Sequence, residues 1–170
     1  MKLIQAMKKL KDLAIKADDL RKKVANTSAD LSIETPAYPD QKRQVSEWIQ
    51  AHSDILKEIL GLRVAIQKTN ILTPVTIEIG GKQVTKSIAE WIHRRRDLAK
   101  LEMDMWAKLT DRNLKEQNVQ TSPGGAVTEV RIRRYFDPAE RDSKLDLYRS
   151  EPSVIDGTLE VVNAVTELIE

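Results

Sequence analysis

The sequence contains no cysteine, only two histidines and few aromatic residues. Without cysteine the chain cannot form disulfides, use a thiolate nucleophile or bind zinc or an iron–sulfur cluster through sulfur. Two histidines also exclude a histidine-rich metal centre. We therefore expect no metal and no cofactor, and the 4% aromatic content argues against a large globular core.

The sequence also lacks a dominant charge and any long apolar run. Lys plus Arg number 28 and Asp plus Glu number 26, so no general attraction to nucleic acid is expected. No stretch approaches the ~20 apolar residues of a membrane span. Lysines interrupt the first residues, which excludes a signal-peptide core there. We expect no membrane contact and a cytoplasmic location, or a virion location if the gene is viral.

What remains is the composition of a helical protein. Apolar residues make up 41% and charged residues 32%, which favours narrow apolar stripes and wide solvated faces. The length predicts one domain. We predict a mainly α fold of antiparallel, coiled-coil-like helical hairpins, with a small β-hairpin and one further short strand. The periodicity places helices at about 2–25, 40–72, 87–117 and 138–169, the last broken near 150–152 by Pro152.

The second helix has the most regular apolar pattern. Steps of three and four residues alternate strictly along it, which indicates a left-handed seam against a neighbouring helix. Ile49, Leu56 and Leu60 add a second apolar edge, so this helix could contact two partners. The residues of the seam are Val45, Trp48, His52, Ile55, Ile59, Leu62, Ile66 and Thr69.

The last helix carries a similar seam. Its interface candidates are Leu159, Val162, Asn163 and Thr166. Asn163 stands in the same local pattern as Asn70 near the end of the second helix. Two seam asparagines could hydrogen-bond across a helix pair and fix its register, as buried seam asparagines do. The alternative is coincidence, since helix ends are polar.

Two segments are predicted to be extended. Residues 75–85 alternate around Gly80-Gly81, which predicts a hairpin with a tight turn. Residues 126–136 also alternate, and their apolar face includes Ile132 and Phe136 as interface candidates. Because a lone two-stranded hairpin is marginal in water, we expect these segments to pair in one small sheet, within a chain or between subunits.

The candidate polar sites are two arginine clusters and one histidine. Arg94, Arg95 and Arg96 could grip phosphate or a partner, or could form a solvated helix face paired with neighbouring acids. On one strand face, Arg131 and Arg133 could meet an acidic partner or simply protect an exposed edge.

A lone His52 on an apolar seam is expected to be packed there rather than to act as a ligand or a base. No catalytic triad, phosphate loop or metal-ligand spacing is present. We therefore predict no catalytic residues and no enzymatic activity.

Several short motifs together resemble a known family. They are Ile66 with Thr69-Asn70 and Thr73, then Arg96-Asp97-Leu98, then Ile155-Asp156 with Leu159, Asn163 and Thr166-Glu167-Leu168. In this order, around a glycine-containing hairpin, they are similar to the septicolysin-like family of small helical bacterial proteins. The resemblance implies a helical fold without a firmly assigned activity. The family name suggests a thiol-activated cytolysin, but this chain has no cysteine and no lipid-inserting segment.

The functional expectation is a non-enzymatic structural or assembly protein that forms a homo-oligomer through helical seams. A virion component of a phage, such as a capsid cement, decoration or neck protein, would fit, with other structural proteins of the assembly as partners. One alternative is a cytoplasmic septicolysin-like protein of unknown role. The other is a nucleic-acid-binding module that uses the Arg94–Arg96 face.

Overall fold

The computed structural model describes residues 1–169 and confirms a mainly α fold with minor β structure. Its helices are α1 (Leu3–Thr27), α2 (Gln41–Leu72), α3 (Ile88–His93), α4 (Ala99–Trp106) and α5 (Pro138–Val165). Its strands are β1 (Pro74–Ile79), β2 (Lys82–Ser87), β3 (Gln117–Gln120) and β4 (Val127–Val130).

The chain packs as two compact units. Unit 1 contains residues 1–75, 86–89 and the chain from Leu159 onward, and unit 2 contains residues 76–85 and 90–158. The single domain predicted from length stays a prediction, because two units of one chain can still unfold together.

Unit 1 is built on the antiparallel pair α1 and α2. Its core contains the buried residues Ala6 and Leu13 from α1 and Ile59 and Leu62 from α2. Asp40 starts α2, because its carboxylate accepts from the backbone N–H of Arg43 at 3.0 Å and satisfies one of the helix's free donors. Apolar residues at helical spacing thus give the two helices matching apolar faces, and each face buries the other.

The two ends of the described chain meet within unit 1. The backbone N–H of Leu3 donates to the carbonyl of Thr166 at 2.9 Å, and that of Leu168 donates to the carbonyl of Met1 at 2.8 Å. The Glu167 carboxylate accepts from the N-terminal ammonium at 3.1 Å and pairs with Lys2. These two cations lower the pKa of Glu167, with the hydrogen bond from Lys2 as the largest cause.

The predicted glycine hairpin is confirmed as β1 and β2. Gly80 and Gly81 have φ angles of 58° and 75°, a left-handed conformation that glycine adopts without steric cost. A Cβ at Gly80 would also lie 3.0 Å from a methyl carbon of Leu147. Both positions of this turn therefore favour glycine for its conformation, and a side chain at Gly80 would also press on Leu147.

The third predicted helix is shorter than expected and ends at Trp106 instead of near residue 117. It consists of α3, a π-helical stretch (Arg94–Leu98) and α4. Arg112 and Asn113 have φ angles of 55° and 59°, which no right-handed helix accepts. The carbonyl of Leu109 accepts a hydrogen bond at 3.0 Å from Arg141 in α5, a distant contact that holds the chain outside a helix.

The predicted strand 126–136 is also shorter, and its pairing was predicted wrongly. Only Val127–Val130 is a strand, and it pairs antiparallel with β3, a segment for which no strand was predicted. The described residues therefore contain two separate two-stranded sheets rather than one shared sheet. Beyond Val130 the ladder stops because the backbone N–H of Ile132 donates to the side chain of Glu116 at 3.2 Å instead of to a strand.

The predicted break in the last helix is absent, since α5 continues through Pro152. Asp137 caps its start by accepting from the N–H of Ala139 at 2.9 Å, and proline follows at the first helical position. Proline inside a helix removes one hydrogen bond and crowds the preceding turn. The carbonyl that loses its helical donor here is that of Tyr148, four residues before Pro152. In the same turn the Ser150 hydroxyl donates to the carbonyl of Leu147 at 2.9 Å.

Candidate interaction surface

The seam predicted on α2 finds its partner in α1 of the same chain. Ile59 and Leu62 are buried in the shared core, and Ile55 and Ile66 pack against it from α2. These interface candidates are therefore already covered, and a second copy of the chain would have to contact another face.

The first turns of α2 are covered more loosely. The rings of Tyr38 and Trp48 meet edge to face with centroids 5.2 Å apart, and the Lys23 ammonium lies 6.0 Å from the Trp48 ring centre. Val45 and His52 are half-buried, and His52 lines a shallow groove between α1 and α2. His52 lies within an apolar helix contact, in the place that the seam predicts.

At the other end of α2, a threonine rather than an asparagine makes the cross-element hydrogen bond. The fully buried Thr69 hydroxyl accepts from the backbone N–H of Ile169 at 2.9 Å and donates to the carbonyl of Ala65. The side-chain oxygen of Asn70 is buried and has no hydrogen-bond partner. The bond proposed between Asn70 and Asn163 through that oxygen is therefore not formed.

The other candidates at the end of α5 are covered to different degrees. Leu159 is buried, while Val162, Asn163 and Thr166 are half-buried. The Thr166 carbonyl receives the N–H of Leu3. This part of the last seam therefore belongs to the closure of the chain ends in unit 1.

A second apolar face of α2 is exposed along most of the helix. We call it the α2 stripe, and its side chains are 47% to 63% exposed. Steps of seven and four residues place them on one side of the helix. The stripe consists of Ile49, Leu56, Leu60, Val64 and Ile71. The sequence pattern had revealed only its first three members, and the same spacing extends to Val64 and Ile71.

An open groove of about 740 Å³ runs beside the stripe in unit 1. Leu60, Gly61, Val64 and Ala65 of α2 form one part of its lining, and Leu168 forms another. A Cβ added to Gly61 would meet nothing within 4 Å, so its small size serves no contact inside the chain.

Basic side chains flank the stripe. Lys57, Arg63 and Lys68 lie three or four residues from Leu60 or Val64, so they stand at its edges. The acidic residues of α2 occupy other helical positions, and all three form ion pairs: Glu47 with Arg43 at 2.8 Å, Asp54 with Lys57 at 3.1 Å, and Glu58 with Lys9 of α1 at 2.6 Å. The α2 stripe is therefore an apolar surface flanked by cations, of which Lys57 is neutralised by Asp54 of the same helix.

In unit 2 the first residue of the predicted phosphate-gripping triplet is turned inward. Arg94 donates through Nε and Nη2 to the two carboxylate oxygens of Glu151, the second at 3.1 Å. Glu151 is only 3% exposed, and the Tyr148 ring lies 5.4 Å from the guanidinium carbon. The hydrogen bond to Glu151 raises the pKa of Arg94 and outweighs the opposing effect of burial. A buried carboxylate thus neutralises this arginine.

The rest of the triplet is also engaged within unit 2. Arg95 forms an ion pair with Asp156 of α5, and Arg96 lies 3.6 Å from the carboxylate of Asp97. Arg96 also contacts the Nδ1 atom of His93 at 3.0 Å. Each arginine of the triplet therefore has a carboxylate neighbour, and Arg94 is turned inward rather than solvated. Glu151 was not identified from the sequence as a functional residue. Its only signal was its position in an apolar seam, one helical turn from Tyr148 and one from Ile155.

The second arginine cluster stays on the surface of unit 2. Arg131 pairs with Glu129 at 2.9 Å, and Arg133 stacks on the largely exposed Tyr135 ring at 5.8 Å. Ile132 and Phe136 are half-buried, and Arg141 lies 5.6 Å from the Phe136 ring centre. The chain itself therefore covers much of the apolar face that was expected to need a partner.

No helix among residues 1–169 is both long and apolar enough to cross a membrane. Within the same range, no three or more histidine, aspartate or glutamate side chains gather in a geometry that could hold a metal ion.

Comparison with known proteins establishes the fold alone. No family model matches the chain, and no curated protein matches it. A crystal structure described as a functionally unknown conserved protein from Corynebacterium diphtheriae matches with a TM-score of 0.57 at 19% identity. The match covers 99% of each chain, so the similarity of fold extends over nearly the full length.

Proposed function

We propose that this protein is a non-enzymatic structural subunit that assembles with further copies of itself through the α2 stripe. The observation that carries the proposal is a row of five large aliphatic side chains, each about half exposed, on one face of a long helix. Scattered single apolar residues are normal on a surface, whereas Leu56, Leu60 and Val64 follow one another at four-residue steps on one face, and a contiguous apolar patch marks an interaction site.

The composition of the stripe also suits packing. Full burial of one Leu, Ile or Val contributes roughly 1.5–3 kcal/mol, so covering the exposed half contributes about 1 kcal/mol per side chain. A row of five such residues can therefore offset a substantial part of the cost of association. The adjacent groove is lined mainly by aliphatic side chains, which is typical of a helix-packing surface.

Nucleic-acid binding is less well supported. Its proposed contact residues, Arg94 to Arg96, each have a carboxylate partner inside unit 2. Phosphate contact by Arg94 would leave the buried Glu151 charge without its partner, which is costly.

The test is sedimentation of the wild type and two matched variants at micromolar concentration. Leu60→Glu places a charge in the stripe, and Ile15→Glu places one on α1 at nearly equal exposure, 63% against 61%. We expect a dimer or larger species for the wild type and Ile15→Glu, and a 19.3 kDa monomer for Leu60→Glu. Circular dichroism should show equal helix content in all three.

A wild type that sediments as a monomer would overturn the proposal. The same conclusion would follow if Leu60→Glu assembled as well as Ile15→Glu.

A further inference from the structure

The exposed face of α2 has the same pattern in both directions along the helix. Counted from Leu60, aliphatic side chains stand four and eleven residues to either side, and exposed polar side chains stand seven residues to either side. A helix turns about 100° per residue, which brings all of these positions within about 40° of the direction of Leu60. In chain order they are Ile49, Ser53, Leu56, Leu60, Val64, Gln67 and Ile71. The α2 stripe is therefore symmetrical about its central leucine.

This symmetry is what a two-fold contact between two antiparallel copies of α2 requires. In such a contact each pair of residues occurs twice, because residue i of one copy meets residue j of the other and the reverse also holds. With the axis at Leu60, Leu56 lies level with Val64 of the second copy, and Ile49 lies level with Ile71 of the second copy. Every aliphatic side chain of the stripe then meets another aliphatic side chain. A partner of different sequence, or a copy in parallel orientation, needs no symmetry about Leu60.

The two polar positions also match each other. Ser53 and Gln67 are exposed and lie on the same face as the stripe. In the antiparallel contact the Ser53 hydroxyl lies level with the Gln67 side-chain amide of the second copy, and the two groups can hydrogen-bond. A polar pair within an apolar seam fixes the register of the helices, because a shifted contact would place each polar group against aliphatic side chains.

The cations beside the stripe are compatible with this contact. Lys57 and Arg63 stand three residues to either side of Leu60, which places them about 60° from it on opposite sides. In the antiparallel contact Lys57 is level with Arg63 of the second copy, but the two lie at opposite edges of the interface. Lys57 is also neutralised by Asp54 at 3.1 Å. These charges therefore do not face each other directly.

The size of the face suffices for a weak dimer. From Ile49 to Ile71 the helix rises about 33 Å, and with a helix diameter of about 10 Å the face covers on the order of 330 Å² on each copy. The groove beside Leu60 and Val64 adds apolar surface next to the axis. Interfaces below about 1,200 Å² in total are typical of weak association. We therefore expect a dimer with a micromolar dissociation constant.

We infer that two copies pair through the α2 stripe in antiparallel orientation, about a two-fold axis at Leu60. This inference rests on the proposed self-assembly and specifies the contact that produces it. A contact of this kind uses the same surface on both copies and therefore closes at two. The assembly formed by α2 is a dimer and not a ring or a filament.

Cross-linking between single-cysteine variants tests the orientation. The natural chain has no cysteine, so Ile49→Cys and Ile71→Cys each carry one unique thiol. The two variants are mixed at micromolar concentration, allowed to exchange subunits and treated with a short bis-maleimide, and the linked peptides are identified by mass spectrometry. We expect links between positions 49 and 71 at least tenfold more often than links of either position to itself, because identical positions lie about 33 Å apart in the antiparallel dimer. Ile15→Cys on α1, at comparable exposure, is the control for random collision.

The outcomes separate this inference from the proposed function. If the wild type is a dimer but positions 49 and 71 link mainly to themselves, the helices are parallel, so the inference is wrong and the proposed function stands. The same conclusion follows if Leu60→Glu abolishes assembly but no cysteine pair exceeds the control. A monomeric wild type with no pair above the control overturns both.

A pair of charges introduced at the two polar positions gives an independent measurement. Ser53→Lys and Gln67→Glu should each weaken self-association, because each places a charge in the contact without a partner. The double variant should associate at least about fivefold more tightly than either single variant, since the antiparallel contact joins the two opposite charges twice. In a parallel contact the same double variant would oppose like charges. Sedimentation equilibrium measures the dissociation constants, and a double variant that associates more weakly than either single variant would overturn the inference.

Discussion

The α1–α2 pair in unit 1 and the β3–β4 hairpin in unit 2 are stabilised by different forces. The helices bury a continuous aliphatic core from both sides, whereas every residue of β4 is exposed. Around the hairpin the chain is fixed by polar contacts, such as the double hydrogen bond from Arg134 to Asp111 at 2.6 and 2.7 Å. The comparison shows that apolar periodicity fixes one region, while individual polar side chains position the other.

Removal of an apolar side chain should produce the largest difference in stability loss between the two regions. Leu13→Ala in the helical core should lower the free energy of unfolding by about 2–5 kcal/mol, because it leaves a cavity between α1 and α2. Val127→Ala in β4 should change it by about 0.5 kcal/mol or less, since that side chain is exposed. Urea denaturation measures both, and equal losses would contradict the comparison.

The next largest effect on stability is expected at the buried ion pair of unit 2. Arg94→Leu should destabilise the protein by about 3 kcal/mol, because it leaves the Glu151 carboxylate buried without its cation. Replacing both residues, as Arg94→Leu with Glu151→Leu, should restore most of the stability. Thermal unfolding of the single and double variants checks this. A double variant less stable than Arg94→Leu would show that the pair itself stabilises the fold.

A smaller, local effect is expected in the turn of the β3–β4 hairpin. Gly124 has a φ angle of 75°, so Gly124→Ala should strain the turn by about 1 kcal/mol. Amide hydrogen exchange should accelerate in β3 and β4 and stay unchanged in α1 and α2. Faster exchange in the helices would mean that the hairpin contributes to global stability.

At the apolar contact of α1 and α2, His52→Leu should keep or slightly raise the melting temperature, by an amount worth about 0.5 kcal/mol or less. Leucine suits the groove formed with Leu20 and Val24 better than a half-buried imidazole does. A calorimetric scan decides, and a clear loss of stability would assign His52 a polar role.

The weakest effect should be the pH dependence of the contact between the chain ends. Lys2 and the N-terminal ammonium lower the folded-state pKa of Glu167 below its ordinary value of 4.5. Their stabilisation is therefore fully present above that value and is lost as pH falls through the lower folded pKa. Two-dimensional NMR titration should show the Glu167 side chain protonating at lower pH in the wild type than in Lys2→Met. Identical midpoints would show that the pair does not form.

Helix positions followed from local sequence where caps and periodicity agreed. Asp40, Pro74 and Asp137-Pro138 bound α2 and α5, and the structure places helix ends beside each of them. The same patterns placed the end of the third helix too far along the chain. Leucines continue at helical spacing beyond Trp106, where the chain leaves the helix. There the decisive interactions were distant hydrogen bonds, such as that from Arg141 to Leu109.

The candidate interaction surface could also be predicted only in part from the sequence. Three members of the α2 stripe were identified from their spacing, but the sequence did not show which apolar edge of α2 would be covered. Both edges have suitable periodicity, and only the packing of α1 against the seam left the other edge exposed. The arginine triplet likewise resembled a phosphate site until the fold brought Glu151 and Asp156 to it.

The sequence by itself determined the mainly α class, the long second helix with two apolar edges and the glycine hairpin, because these depend on local periodicity and backbone preference. Tertiary structure alone decided the pairing of β3 with β4, the burial of Glu151 beside Arg94 and the meeting of the chain ends. Each of these joins residues far apart in sequence, and their energies depend on burial and on partner geometry that no local pattern specifies.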